Sequence, residues 1–204
     1  ANKAAMAQAK LKQIERIGEV GTPSNFDTAT FKSNFQPERE TVEKAVVLDK
    51  LVFGYDKPLG QINTIIKRGD KVGIIGQNGC GKSTLVKTIV HKIKALDGSA
   101  TFGLHAQVGY FDQTSTQSFS TLTVLEDFQN EFPMLSNTEA RSALGAFMLS
   151  GDDVFKRICD LSGGEKVRLA LCKILRKKPN ILILDEPTNH MDIIGKETLE
   201  RLLS

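Results

Sequence analysis

The residues with the most specific chemistry form a glycine-rich run, Gly76–Ser83 with the sequence GQNGCGKS. The run fits G-x-x-x-x-G-K-[ST] and lies between a predicted strand and a predicted helix, which is the context that this pattern requires. Glycines let the backbone curl so that successive N–H groups point at phosphate oxygens, and the helix that begins there adds its positive end. The pattern therefore predicts a phosphate site in which Lys82 reaches the terminal phosphates and the Ser83 hydroxyl binds Mg²⁺.

Two acidic residues, Asp185 and Glu186, directly follow the aliphatic run Ile181–Leu184. A strand that is apolar on both faces is typical of the interior of a parallel sheet, and such sheets bind ligands at the carboxyl ends of their strands. We expect Asp185 to hold Mg²⁺, usually through water, and Glu186 to polarise an attacking water as general base. An isolated Asp-Glu pair can also simply end a strand at solvent, but a phosphate loop in the same domain argues against that alternative.

The N-terminus of a second predicted helix could also bind an anion. In Leu161–Arg168, Ser162 can cap the helix, and Gly163 and Gly164 leave backbone donors uncovered. Ser-Gly-Gly turns are common, so a plain capped helix is the alternative for this segment.

Strands and helices that alternate along the chain must position these residues. Hydrophobic periodicity predicts strands at 45–53, 61–67, 71–75, 99–102, 107–111 and 181–184, and helices at 82–93, 124–131, 138–149, 164–175 and 196–204. This alternation predicts an α/β domain with a largely parallel sheet.

Composition narrows the class of protein. The 204 residues are 40% hydrophobic and 25% charged, enough for one domain with a core or two small ones. With 27 basic and 24 acidic residues, the formal charge of +3 provides no general field for nucleic acid or anionic membranes, so any such contact must be local. We expect no transmembrane segment, no secretory leader and a cytoplasmic protein. Cys80, Cys159 and Cys172 are predicted to be reduced structural thiols.

The first 44 residues are expected to lie outside the main domain. The pattern of residues 1–20 predicts one amphipathic helix with a narrow, alanine-rich apolar stripe. The segment carries four basic and two acidic side chains. Such a stripe suits a coiled-coil or hairpin partner, and its basic face either contacts RNA or is merely solvated. Residues 21–44 are interpreted as a connecting segment, and the main domain as 45–204.

The motifs GQNGCGKST, YFDQ, LSGGE and LDEPTNHMD, in this order, resemble those of an ATP-binding cassette (ABC) domain over about residues 45–204. The resemblance implies an α/β P-loop NTPase fold of ABC type, with a mainly parallel core sheet, a small antiparallel β subdomain and a helical signature subdomain. It implies ATP and Mg²⁺ as cofactors and Mg²⁺-dependent hydrolysis. The nucleotide-binding residues that it implies are Tyr55, Gly76, Asn78, Gly79, Gly81, Lys82, Ser83, Thr84, Ser162, Gly163, Gly164 and Asp192. The implied metal-binding residues are Ser83, Gln113 and Asp185, and the implied catalytic residues are Glu186 and Gln113.

Three of these assignments depend on the resemblance alone. Tyr55 is similar to the aromatic residue that stacks on adenine, although Phe53, two residues earlier on the same strand face, competes for that role. Gln113 corresponds to the glutamine loop. Asp192 corresponds to the aspartate of the loop that meets a partner cassette.

The subtype resembles the ABC-F group, because Glu165-Lys166-x-Arg168 and Pro187–Asp192 differ from the usual transporter pattern. ABC-F proteins have no membrane domain and carry two cassettes on one chain, joined by a charged helical hairpin that reaches into the ribosome. Residues 1–20 resemble the returning arm of that hairpin. We therefore interpret the chain as the end of the linker plus most of the C-terminal cassette, without the strand that carries the switch histidine. The implied partners are a second cassette, on the same full-length chain or in a homodimer, and the ribosome or its rRNA.

Three functions remain open at this point. The first is an ATPase that acts on the ribosome, as a translation factor or in protection from antibiotics. The second is the ATP-binding subunit of a membrane transporter, and the third is an ATP-gated module that clamps a partner.

Overall fold

A three-stranded antiparallel sheet and a two-stranded parallel sheet carry the described elements in the computed structural model, which covers residues 40–116 and 120–187 together with Lys196 and Leu199. All of these residues belong to one unit, Phe35–Ser204. The predicted antiparallel β subdomain and helical subdomain are both present among the described elements.

The antiparallel sheet comprises β1 (Lys44–Gly54), β2 (Pro58–Lys67) and β3 (Asp97–Phe102), in the order β2-β1-β3. Both of the pairings that β1 makes shift register after Leu48 or Asp49, around Lys50, which has a φ of 46°. Side chains alternate along a regular strand, so residues three apart face opposite sides. The irregularity lets Leu48 and Leu51 both enter the same buried cluster.

The parallel sheet pairs β4 (Val108–Phe111) with β5 (Ile181–Leu184), residue for residue. The Asp185 N–H extends the ladder by donating to the Phe111 carbonyl at 2.9 Å. The bounds of β5 are as predicted, but its four residues are half-buried rather than fully buried. Among the described strands only β4 lies beside it, which leaves its other edge without a paired strand.

Helix α1 (Lys82–Ile89) follows the glycine-rich run and packs Leu85 and Ile89 against the cluster under the antiparallel sheet. The predicted extension to residue 93 is wrong. His91 has a φ of 59°, in the left-handed region, and this conformation ends the helix.

Helices α2 (Val124–Glu131), α3 (Asn137–Ala146) and α4 (Gly163–Arg176) form the helical subdomain, with 3₁₀ turns at Gln113–Thr116, Gly151–Phe155 and Ile158–Asp160. Each of these three α-helices begins with a capping box, in which a Ser or Thr side chain and a Glu three residues later satisfy each other's backbone N–H groups. Lys173 of α4 pairs with Asp127 and Glu131 of α2, so ion pairs join the two helices.

The predicted strand at 71–75 is a further error. These residues form no strand, and Val72, Ile74 and Ile75 are exposed. A strand requires a neighbour for its backbone groups, and no strand of the described ranges pairs with this segment.

Several predictions fall outside the described residues. They are the helix at 1–20, all but the end of the 21–44 segment, Asp192, and most of the helix from 196, of which Lys196 and Leu199 are described and helical. Within the described ranges, no helix combines the length and the apolar composition needed to cross a membrane.

Candidate nucleotide site

The glycine-rich run forms an exposed loop at the start of α1. Gly79 and Gly81 have φ angles of 79° and 97°, which side chains other than glycine rarely tolerate. A Cβ at Gly76 would lie 2.7 Å from the Cys80 Sγ, so the Cys80 side chain would have to move to admit one. The loop therefore has the tight curvature that a phosphate-binding turn needs.

Lys82 extends back along this loop. Its Nζ donates hydrogen bonds to the carbonyl oxygens of Gly76 and Gln77, at 3.0 Å each. The ammonium group is thus held over the loop by two neutral carbonyl acceptors. An anionic phosphate oxygen in their place would make a stronger, ion-paired hydrogen bond.

A hydrogen bond joins the loop to the acidic end of β5. The Ser83 hydroxyl donates to Asp185 Oδ1 at 2.8 Å, across 102 residues of sequence. A hydroxyl oxygen and a carboxylate oxygen are the hard donors that Mg²⁺ takes, usually alongside water and phosphate oxygens. The side chains present therefore fit the predicted magnesium ion, and two of the residues that the sequence assigns to it are in contact.

Asp112 is a buried acid beside this contact that sequence reasoning missed. It follows β4, is 2% exposed, and accepts hydrogen bonds from Lys92 Nζ at 3.0 Å and from Thr114 Oγ1 at 2.6 Å. The Lys92 ammonium also lies 4.6 Å from the centre of the Tyr110 ring. The only sequence signal was the acid in YFDQ, because its partner Lys92 is 20 residues away.

Charge and burial act together on Tyr110. Burial raises the pKa of its phenol above the usual value, and the nearby Asp112 and Asp185 carboxylates raise it further. The phenol therefore stays protonated at neutral pH and adds no charge to the site.

For Gln113 and Glu186 the structure describes mainly the path of the backbone. The backbone of Gln113 begins the 3₁₀ turn after Asp112, but the side chain of Gln113 is not among those described. Glu186 is exposed, and its φ of 49° turns the chain sharply after Asp185.

The structure separates the two aromatic candidates. Phe53 packs against the buried cluster under the sheet, whereas the Tyr55 side chain is 61% exposed. Tyr55 also lines a cleft of about 480 Å³ between residues 54–56 and 93–96. Of the two rings, Tyr55 is the more exposed, and its role in stacking stays a prediction.

The second predicted anion site lies at the N-terminus of α4. Ser162 Oγ accepts the Glu165 N–H at 3.3 Å, and the Ser162 N–H donates to Glu165 Oε2 at 2.8 Å. No hydrogen bond or ion pair in the described part of the chain joins Ser162, Gly163 or Gly164 to the phosphate loop. The two predicted anion sites are thus built separately.

Lys156 is a second residue that sequence reasoning missed. Its Nζ lies 2.8 Å from Glu165 Oε1 and 2.7 Å from Asp153 Oδ1. Partial burial alone would raise the pKa of Glu165, but hydrogen bonds from Lys156 and Ser162 lower it to about 2. Glu165 is therefore charged at neutral pH.

A family model and similar curated proteins both match this chain to ATP-binding proteins of ABC type. A sequence model of the family described as "ABC transporter" matches residues 59–189. The ATP-binding protein YdiF of Bacillus subtilis is 38% identical over 200 residues, which are 97% of this chain and 31% of that protein. "ABC transporter F family member 2" of Arabidopsis thaliana is 35% identical over 206 residues, which are 99% of this chain and 30% of that protein. The chain thus spans about a third of the length of these curated relatives.

A solved structure shows the same fold. The ATP-binding cassette MJ0796, described as a dimeric post-hydrolysis state bound to ADP and Pi, superposes with a TM-score of 0.65 at 24% identity, over 78% of this chain and 81% of that one.

Proposed function

The chain belongs to the ABC transporter family of ATP-binding domains, with ABC-F proteins among its relatives, and from that premise we propose that it is an ABC-F cassette that hydrolyses ATP with Mg²⁺ and acts on the ribosome. The observation that carries the enzymatic part is the 2.8 Å hydrogen bond between Ser83 and Asp185. It brings the phosphate loop into direct contact with the acidic end of β5, and in our proposal both bind the same nucleotide.

Each residue of the proposed site has a distinct task. Backbone N–H groups of Gly76–Thr84 and the Lys82 ammonium bind the phosphates, and Tyr55 stacks on adenine. Ser83 and Asp185 hold Mg²⁺, with Gln113 as a further ligand, and the metal when bound neutralises charge on the phosphate oxygens. Glu186 accepts a proton from the attacking water.

The signature segment acts on a different nucleotide in this proposal. Ser162, Gly163 and Gly164 bind the phosphate held by a second cassette, and Asp192 contacts that cassette. Their separation from the phosphate loop among the described hydrogen bonds supports this division. The second cassette lies on the same full-length protein or in a second copy of this chain. In the first case, residues 1–20 end the inter-cassette linker and 45–204 form most of the C-terminal cassette.

The ribosomal role and a cytoplasmic location rest on the ABC-F relationship. A transporter ATP-binding subunit is the alternative within the same family. Co-sedimentation of the full-length protein with ribosomes, in the presence of ATP and with Glu186→Gln to prolong the ATP-bound state, separates the two. ATP-dependent co-sedimentation is expected, and its absence at physiological salt would contradict the ribosomal proposal.

The enzymatic proposal is tested at Glu186. We expect Glu186→Gln in the full-length protein to keep ATP and Mg²⁺ binding while slowing phosphate release by about 10² to 10⁴, since general-base catalysis contributes that much. Glu43→Gln, which changes an exposed carboxylate before β1, is the matched control and should leave the rate as in the wild type. Full hydrolysis by the Glu186 variant would show that another group positions the water.

A further inference from the structure

A carboxylate lies in the first turn of α4, the helix that begins at the signature residues Ser162–Gly164. Glu165 is the third residue of α4, its side chain is 14% exposed, and its two oxygens accept from Lys156 and from the Ser162 N–H. A phosphate that approaches Ser162–Gly164 therefore meets a fixed negative charge beside the backbone donors that should bind it. The helix terminus attracts an anion, and Glu165 by itself opposes one.

The Lys156 ammonium is the group that offsets this charge. It lies 2.8 Å from Glu165 Oε1 and is also held by Asp153 at 2.7 Å. These hydrogen bonds raise the pKa of Lys156 above the usual lysine value, so the pair remains charged throughout the neutral range.

The backbone around Lys156 fixes where that ammonium can be. The Lys156 carbonyl accepts the Val124 N–H at 3.0 Å, and the Ile158 N–H donates to the Leu122 carbonyl at 3.0 Å. Thr123 and Arg157 form an antiparallel bridge between these two bonds. Lys156 is therefore anchored to the start of α2 while its side chain reaches the start of α4.

We propose that Lys156 is a positioning residue of the signature: it offsets part of the Glu165 charge and holds the first turn of α4 so that Ser162–Gly164 can bind the terminal phosphate of a nucleotide held by another cassette. This inference rests on the proposed function and names the residue that makes an acidic signature compatible with a phosphate.

A double-mutant cycle in the full-length protein tests it, with phosphate release measured for the wild type, Lys156→Met, Glu165→Gln and the double variant. Lys156→Met should slow turnover about tenfold when Glu165 is present and less than twofold when residue 165 is glutamine, because the uncompensated charge is then gone. Lys156→Arg, which keeps the charge, should recover most of the rate. Binding of a fluorescent ATP analogue at the Lys82 loop should be the same in all variants.

Two controls separate charge from folding. Asp153→Asn removes the other ion pair of Lys156 but keeps the Lys156–Glu165 ion pair, so its turnover should stay within about twofold of the wild type. Thermal unfolding of each variant reports folding independently. Lys156→Gln replaces the methionine variant if the latter is unfolded, with the same expected coupling to Glu165.

Several results would overturn the inference. They are an equal loss of turnover from Lys156→Met in both backgrounds, no loss in either, or a loss in Asp153→Asn as large as that in Lys156→Met. These differ from failure of the proposed function, which would appear as wild-type turnover that does not depend on Lys82.

Discussion

Ser83 and Asp185 show how a site is assembled from residues far apart in sequence. Each was predicted from its own local pattern, a glycine loop before a helix and an acid after an aliphatic strand, and the structure joins them at 2.8 Å. Both patterns assign their residue to the same magnesium ion, and β5 ends at the carboxyl edge of a parallel sheet, where such sheets bind ligands. The contacts of Asp112 with Lys92 and of Glu165 with Lys156 could not be predicted in this way, because no sequence motif around either lysine indicates which carboxylate it pairs with.

The metal role of Asp185 leads to a prediction about Mg²⁺ concentration. Asp185→Asn keeps an oxygen that can accept the Ser83 hydroxyl but removes the negative charge. We expect the Mg²⁺ concentration for half-maximal nucleotide binding to rise at least about tenfold. Titration of Mg²⁺ with a fluorescent ATP analogue measures this. A variant that titrates like the wild type would remove Asp185 from the metal site.

Helix and strand boundaries were predicted best where local chemistry determines them. The bounds of α2 match the prediction because Thr123 and Glu126 form its capping box, and those of β5 match because an acid ends an aliphatic run. The predictions were wrong where non-local structure decides. The segment 71–75 reads as a strand but has no pairing strand among the described elements, and α1 ends early at a histidine with positive φ.

The cap of α4 leads to a prediction about pH. Folding lowers the pKa of Glu165 to about 2 from its ordinary 4.5, so the unfolded chain takes up this proton first as the pH falls. The stability that Glu165 contributes is therefore present above about pH 5 and lost toward pH 2. Glu165→Gln should lower the free energy of unfolding by about 1 to 2 kcal/mol at pH 7, and the deficit should shrink below pH 5.

Urea unfolding of the 204-residue chain and this variant, at several pH values between 7 and 3, measures that difference. Glu43→Gln serves as the control for an exposed carboxylate that lies outside a helix cap. A deficit that stays constant across the acid range would show that the Glu165 charge does not stabilise α4.

At the scale of the whole molecule, our proposal is that the chain carries two half-sites rather than one complete site. The phosphate loop and the signature share no hydrogen bond among the described residues, and the chain spans about a third of the curated relatives that it matches. The sequence motifs predicted the family and the order of the phosphate loop, the signature and the acidic strand end along the chain. They do not reveal which cassette supplies the facing half-site, because that depends on residues of another cassette.

We therefore predict that the isolated 204-residue chain binds ATP but hydrolyses it poorly. Phosphate release should be slow at low protein concentration, because in our proposal the signature that closes over the nucleotide comes from another cassette. Measurements over a range of concentrations, with Lys82→Ala as the blank, test this. Brisk turnover that depends on Lys82 and not on protein concentration would show that one cassette is sufficient.

The central claim, that Gly76–Thr84 binds the phosphates of ATP, is tested most directly by equilibrium binding of a fluorescent ATP analogue to the 204-residue chain. Lys82→Ala should weaken binding by about 2 to 5 kcal/mol, because the ammonium group makes a charge-assisted contact with the phosphates. Lys87→Ala, which removes a lysine from the last turn of the same helix, should bind like the wild type. Unchanged affinity in Lys82→Ala would contradict the assignment of this loop as the nucleotide site.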